Sequence, residues 1–233
     1  MTDDKIRSKI QLVRSRIAEA AARSGRQPSE IRLMAVTKTV EENRIRQALE
    51  SGIDLCGENY IQESRIKIES IGHPPQWHMI GHLQTNKAKY AVRLFDMVES
   101  VDRFELAVEL DRRAGGAGRV LPILIEVNSG GELTKSGIPP EEAIGLIRRI
   151  APLEHLAISG LMTMPPWFDD PEEARPFFSA LRTLRDRIAA EEFDRVAMTE
   201  LSMGMTDDFE VAVEEGATIV RVGRGIFGER TDR

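Results

Sequence analysis

Eight short apolar, β-branched runs recur along the chain with helical patterns between them, and this alternation limits the fold more than any other feature. The runs cover 31–37, 53–57, 77–81, 95–101, 121–128, 156–162, 199–203 and 218–223. Most are continuously apolar, as expected of strands buried on both faces of a parallel sheet. Helical patterns fill 41–51, 59–71, 86–92, 103–114, 140–151, 171–190 and 207–215. A doubly wound open sheet also alternates, but more often with five or six strands. Eight unbroken units predict an α/β chain closed into a single (β/α)8 TIM-type barrel. The 233 residues form one domain on this reading, since such a barrel needs roughly 250.

An extra helix precedes the barrel. Ile6, Ile10, Val13, Ile17 and Ala20 repeat at helical spacing over 5–24, Gly25 is placed to stop that helix, and Pro28 follows. Residues 1–27 are therefore read as an N-terminal helix packed on the barrel. In the sixth connection Phe177, Leu181, Leu184 and Ile188 line one face, and Pro171 with Glu172 and Glu173 marks the start. The stretch 112–118 (RRAGGAG) reads as a helix-to-strand loop.

Composition removes several partners. A net charge of −6 disfavours nucleic acid, whose phosphates call for a basic surface. The basic residues Lys5, Arg7, Lys9, Arg14 and Arg16 read as the solvated face of the first helix. The single cysteine, Cys56, allows no internal disulfide and suits a reducing cytoplasm. The N-terminus is charged from the start, without the apolar region of a signal peptide. No stretch approaches the roughly 20 apolar residues of a membrane span. A monomer is the expected state.

In a barrel the chemistry gathers where the strands end. The first run ends in Thr37-Lys38-Thr39 and the second in Gly57-Glu58-Asn59-Tyr60. The seventh ends in Ser202-Met203-Gly204 and the eighth in Arg221-Val222-Gly223-Arg224-Gly225. Lys38 follows LMAV and one threonine, so its stem starts inside the mouth. Partial desolvation there favours the neutral amine that forms a Schiff base with an aldehyde. Taken alone, a rim lysine paired with a carboxylate such as Glu126 explains it as well. The last two loops shift that balance. Barrels often hold phosphate after strands seven and eight. Here Ser202 leads toward a helix near Thr206-Asp207, Gly223 and Gly225 permit close backbone approach, and Arg221 and Arg224 add positive charge. An amine facing a phosphate cup is a layout for pyridoxal 5′-phosphate (PLP), which has an aldehyde at one end and a phosphate at the other.

Other signals are weaker. His78 and His82 are four apart and point the same way if both lie on a strand, but two histidines do not make a zinc site. Residues 115–118 lack the Gly-Lys-Ser/Thr of a P-loop, and no G-x-S-x-G elbow occurs. Cys56 reads as a buried strand residue.

Several ordered segments now bear comparison with a known family. These are LMAVTKTV (33–40), GENYIQE (57–63), WHMIGHLQTNKAK (77–89), IEVNSGGELTKSG (125–137), GLMTM (160–164), LSMGMTDDFEVAVEEGAT (201–218) and VRVGRGIFGER (220–230). Through them the chain resembles the pyridoxal phosphate homeostasis proteins along nearly its whole length. The resemblance implies a fold-type III PLP barrel like the N-terminal barrel of alanine racemase, standing alone. It puts the cofactor lysine at Lys38 and the family's asparagine at Asn59. The phosphate residues fall at Ser202 and Gly204 with the Met203 backbone nearby, and the final cup at Arg221, Gly223 and Arg224. The family commonly has Ser or Thr where this chain has Arg224, so a side-chain hydroxyl is lost there while the backbone N–H remains.

Two function classes follow. One is a non-catalytic carrier that stores PLP or delivers it to PLP-dependent apo-enzymes. The other is an amino-acid racemase or decarboxylase of the alanine racemase-like class. A two-base racemase needs a second acid/base opposite the lysine, a tyrosine in the alanine racemase-like enzymes. The two tyrosines here are Tyr60 and Tyr90. The chain stops soon after the eighth run, which leaves no residues for the second domain of those enzymes. Both points favour the carrier. A phosphate-sugar barrel enzyme, with Lys38 linked to its substrate, is a remote third reading.

Overall fold

The computed structural model describes residues 3–132 and 136–229. Leu133, Thr134, Lys135 and Arg230, which belong to the quoted segments, lie outside the described residues, as do the two ends of the 1–233 domain. Eight parallel strands close into one barrel in sequence order. They are β1 Arg32–Val36, β2 Leu55–Glu58, β3 Gln76–Met79, β4 Met97–Val101, β5 Leu121–Val127, β6 Leu156–Thr163, β7 Val196–Ser202 and β8 Ile219–Val222. The helices are α1 Asp3–Arg23, α2 Glu42–Glu50, α3 Ile61–Ile71, α4 Ala88–Leu94, α5 Phe104–Gly116, α6 Ala143–Ile150, α7 Arg175–Ala189, α8 Phe209–Glu214 and α9 Arg224–Phe227. The α/β barrel read from the sequence is therefore the fold observed.

Each strand faces two ways, and both faces are covered. Outward residues such as Ala35, Cys56, Met79, Val98, Ile123, Leu161 and Leu201 join one continuous core beneath the helices. Burying a large apolar side chain there stabilises by about 2 kcal/mol. α1 lays Ile6, Ile10, Val13, Ile17 and Ala20 into this core and packs on α2, α8 and α9, over the seam where β8 meets β1. Inward residues fill the barrel itself. Met34, Leu55, Ile80 and Ile219 form one apolar group, and Met97, Leu124 and Met162 form another.

Three expectations shift. α5 continues through Gly115 and Gly116, so most of 112–118 is helix and not loop. The reason is packing: a Cβ on Gly115 would come within 2.8 Å of the His155 ring, so glycine lets the last turn of α5 lie against that ring. In α7 the buried face is Phe178, Leu181, Leu184 and Ile188. Phe177 turns aside and stacks on Phe168 with ring centroids 5.7 Å apart. The helix after β7 starts at Phe209, later than 206–207, because Asp208 Oδ1 accepts the Met205 N–H at 2.6 Å and holds the intervening turn.

Candidate functional site

The mouth of the barrel is built where β1 and β2 end. Ala35 pairs with Cys56 and Val36 with Gly57. The register continues through the Thr37 N–H, which donates to the Gly57 carbonyl at 2.9 Å. Lys38 and Asn59 therefore stand side by side at the rim, two residues beyond the inward-facing Val36 and Gly57. Lys38 is half-buried. Asn59 presents a buried Oδ1 with no hydrogen-bond partner. Gly81, at the end of the neighbouring strand, makes this possible. A Cβ there would lie 2.6 Å from the Asn59 carbonyl oxygen and 2.7 Å from its Cα.

The turn after Lys38 is held from behind. Thr39 has φ 61°, a left-handed conformation that costs a non-glycine residue about 1 kcal/mol. Its N–H donates to Glu63 Oε1 at 2.6 Å, and the Val40 N–H closes the turn on the Thr37 carbonyl at 3.0 Å. Lys67 of α3 binds the same assembly. Its Nζ donates to the Thr37 carbonyl (2.6 Å), to Glu58 (2.8 Å) and to Glu63 (2.6 Å). Thr37 Oγ1 donates to Glu58 at 2.7 Å. Burial pushes the Glu58 carboxyl above its usual range, and Lys67 and Thr37 pull it partly back. These residues face the helices, so they fix the backbone of Lys38 without entering the mouth.

Below the mouth a polar chain crosses the barrel. His78 Nδ1 donates to Glu99 Oε1 at 2.6 Å. Ser202 Oγ donates to Glu99 Oε2 at 2.5 Å and accepts from Arg221 Nη1 at 2.8 Å. Arg221 Nη2 donates to the Thr163 carbonyl at 2.7 Å. All four side chains are buried. Burial raises the Glu99 carboxyl, but His78, Arg221 and Ser202 together hold it below its ordinary value. Burial lowers the Arg221 pKa, opposed by Glu99, Asp208 and Glu126.

The same arrangement shows where two of the sequence-derived residues stand. Ser202 faces into the barrel in the row of the inward Met162, and its hydroxyl donates to Glu99 and accepts from Arg221. The Met203 N–H was expected nearby, and it donates to the Ile219 carbonyl at 3.1 Å. Gly204 makes the corner, with φ +88° and a carbonyl that accepts the Arg221 N–H at 3.0 Å. A Cβ at Gly204 would come within 2.5 Å of the Ala212 Cβ, so glycine is required both for the backbone and for the seat of α8. Gly223 lies against Val36 in the same layer as the mouth. Arg224 bonds Asp207 and Glu229, which ties the β7 and β8 loops together across the cup.

The weaker sequence signals resolve simply. His78 points into the barrel and belongs to the chain just described, whereas His82 lies beyond β3 and is half exposed. Among the described residues no group of three or more His, Cys, Asp or Glu side chains is placed to hold a metal. Cys56 is buried on β2, and burial pushes its thiol up to about 12. Among the described residues no helix is long and apolar enough to cross a membrane. Beyond the residues expected from the sequence, the site uses His78 as a barrel residue, Glu99 and Lys67. The available signal was a charged or titratable residue inside an apolar run, as in MVESV for Glu99 and QWHM for His78.

Residues 9–231 match the family described as alanine racemase, N-terminal domain. A protein from Aquifex aeolicus, named as a pyridoxal phosphate homeostasis protein, is 44% identical over 95% of this chain and 97% of its own length. The chain belongs to the pyridoxal phosphate homeostasis protein family. Other members named so include that of Escherichia coli, 37% identical over 94% of each chain. PipY of Synechococcus elongatus, solved with PLP bound, is 36% identical and superimposes with a TM-score of 0.80, covering 91% of this chain and 100% of PipY. Alanine racemase from Corynebacterium glutamicum shares the fold at a TM-score of 0.75 and 17% identity, and the match spans 62% of that enzyme. The family resemblance and the barrel fold read from the sequence are thus both found.

Proposed function

We propose that this protein binds PLP at the barrel mouth and serves PLP homeostasis, holding and handing on the cofactor without turning over a substrate. The observation that carries the proposal is the meeting of Lys38, the unpartnered Asn59 Oδ1 and the two glycine loops at one rim, above a guanidinium fixed in the barrel. The donor set fits the group: an amine for an aldehyde, donors and glycine backbone for a phosphate. The PLP-bound relative PipY supports the same reading.

Lys38 would hold the aldehyde end and Asn59 would stand beside it. Ser202, Gly204, Gly223 and the backbone of Arg224 would form the phosphate cup, with Met203 at its wall. Arg224 clasps Asp207 and Glu229 and so keeps the two loops together. Arg221, fixed by Ser202 and the Thr163 carbonyl, keeps a donor-only group beneath the cup. Bound PLP supplies an electrophilic carbon and an electron-withdrawing ring. What the mouth does not supply is a second acid/base of the expected kind. Tyr60 is 59% exposed at the start of α3, and Tyr90 lies on α4 against Lys87 and Lys89, outside the barrel. This supports a carrier over a racemase or decarboxylase. On the same reading the protein works in the cytoplasm as a monomer, with PLP-dependent apo-enzymes as recipients.

The test has two arms. Loaded protein mixed with a PLP-dependent apo-enzyme should restore that enzyme's activity, while a panel of amino acids shows no racemisation or decarboxylation. Robust turnover of any amino acid on the panel, abolished by Lys38→Ala, would establish the enzymatic reading instead.

A further inference from the structure

Glu126 has no part in the site as described so far. It lies two residues after the inward-facing Leu124 on β5, in register with Met162, so it too faces into the barrel, on the strand opposite β1. It is 3% exposed, and its Oε2 has no hydrogen-bond partner. An unsatisfied buried carboxyl is costly unless something completes it.

The groups around it set its charge. Asp102 beyond β4 adds a negative charge, and Arg103 beside it and Arg221 from β8 add positive ones. Arg103 is bound to Asp102 (2.5 Å) and to the Leu83 carbonyl (2.7 Å). Arg221 is shared with Ser202 and also faces Glu99 and Asp208. His82 lies 3.8 Å from Asp102. Burial first, and Asp102 second, push the Glu126 carboxyl up to about 7 despite both arginines. A protonated carboxyl is a donor, and this one is buried in the row of Met162 and Ser202, directly beneath the rim.

We infer that Glu126 is a cofactor-contacting residue of the mouth, whose protonated carboxyl donates a hydrogen bond to an acceptor atom of bound PLP, so that loss of the proton loosens the cofactor. The inference rests on the PLP reading above. PLP carries a phosphate and a ring oxygen, both negative, so an ionised Glu126 both loses the donor and adds repulsion. The expected loss is about tenfold in affinity.

PLP affinity of the full chain is measured by equilibrium dialysis at about pH 6 and about pH 8.5, on either side of the Glu126 transition. Wild type, Glu126→Gln and Glu126→Leu are compared. Glutamine keeps a donor and cannot ionise. Titration of Lys38 acts on all three and cancels in their ratios. Wild type should match Glu126→Gln near pH 6 and fall about tenfold below it near pH 8.5, and Glu126→Leu should be weak at both. A wild-type to Glu126→Gln ratio that stays constant with pH, or a Glu126→Leu variant that binds as well as Glu126→Gln, overturns the inference. If wild type binds no PLP at either pH, the PLP reading itself has failed. Thermal unfolding without ligand checks the proton independently. A carboxyl raised in the folded state lets stability fall as pH rises from about 4.5 to about 7. Glu126→Gln should therefore gain on wild type across that range, and equal pH dependence in the two counts against the inference.

Discussion

Arg221→Met is expected to lose about 3 to 5 kcal/mol of stability at neutral pH, because it removes one partner from a fully buried charged network. For a chain of this size that is a fall in Tm of about 10 °C. Glu99 keeps His78, but it loses the positive charge of Arg221, and the Ser202 hydroxyl and Thr163 carbonyl lose their donors. The deficit should depend on pH in a fixed direction. Arg221 lowers the pKa values of Glu126 and Asp208, both of which burial raises. Without it their folded pKa values climb further, the folded state binds still more protons than the unfolded one, and stability declines more steeply as pH rises. The variant should accordingly be closer to wild type at pH 5.5 than at pH 8. Denaturant unfolding at both values checks this. A deficit under 1 kcal/mol, or one that shrinks as pH rises, contradicts the network described.

The second large effect is expected at Lys67→Met, on the far side of the barrel wall. Lys67 neutralises Glu58, a carboxylate with no exposed surface, and ties Glu63 and the Thr37 carbonyl together. Removing it leaves Glu58 buried and uncompensated, at a cost of about 3 kcal/mol. Glu58 then takes up its proton more readily, so this deficit too should narrow as pH falls. Lys67 sits on helix α3 and not in the mouth, yet its loss releases the turn in which Thr39 is held left-handed directly after Lys38. PLP retention should therefore weaken together with stability. Retention unchanged in a variant destabilised by 3 kcal/mol would show that the Lys38 turn does not need this clamp.

The architecture was readable because a closed parallel barrel imposes an unusual pattern. Its strands are covered on both faces, so runs such as LMAV and LPILIEV are apolar throughout, and the helices between them show a different period. The rim positions of Lys38 and Asn59 were readable for a related reason: a strand end in a barrel is a fixed place, and the polar residues after an apolar run mark it. The interior was not readable. Ser202, Glu99 and Arg221 come from strands 103 and 19 residues apart in sequence. Which polar residues meet across the lumen depends on the stagger of the strands, which no local pattern records. Ser202 reads as a cup residue from its neighbours in sequence, and its link to Glu99 and Arg221 is visible only in space. Gly115 gave the same lesson in a helix, since its close contact with His155 comes from another element.

Lys38 is the proposed anchor of PLP at this mouth. The most direct measurement is borohydride reduction of the PLP-loaded protein followed by peptide mass mapping, beside the visible spectrum of wild type and Lys38→Ala. A visible band in wild type and a phosphopyridoxyl group on the peptide containing Lys38 are expected, with neither in Lys38→Ala. The same band in Lys38→Ala, or the reduced group on a different lysine, would contradict it.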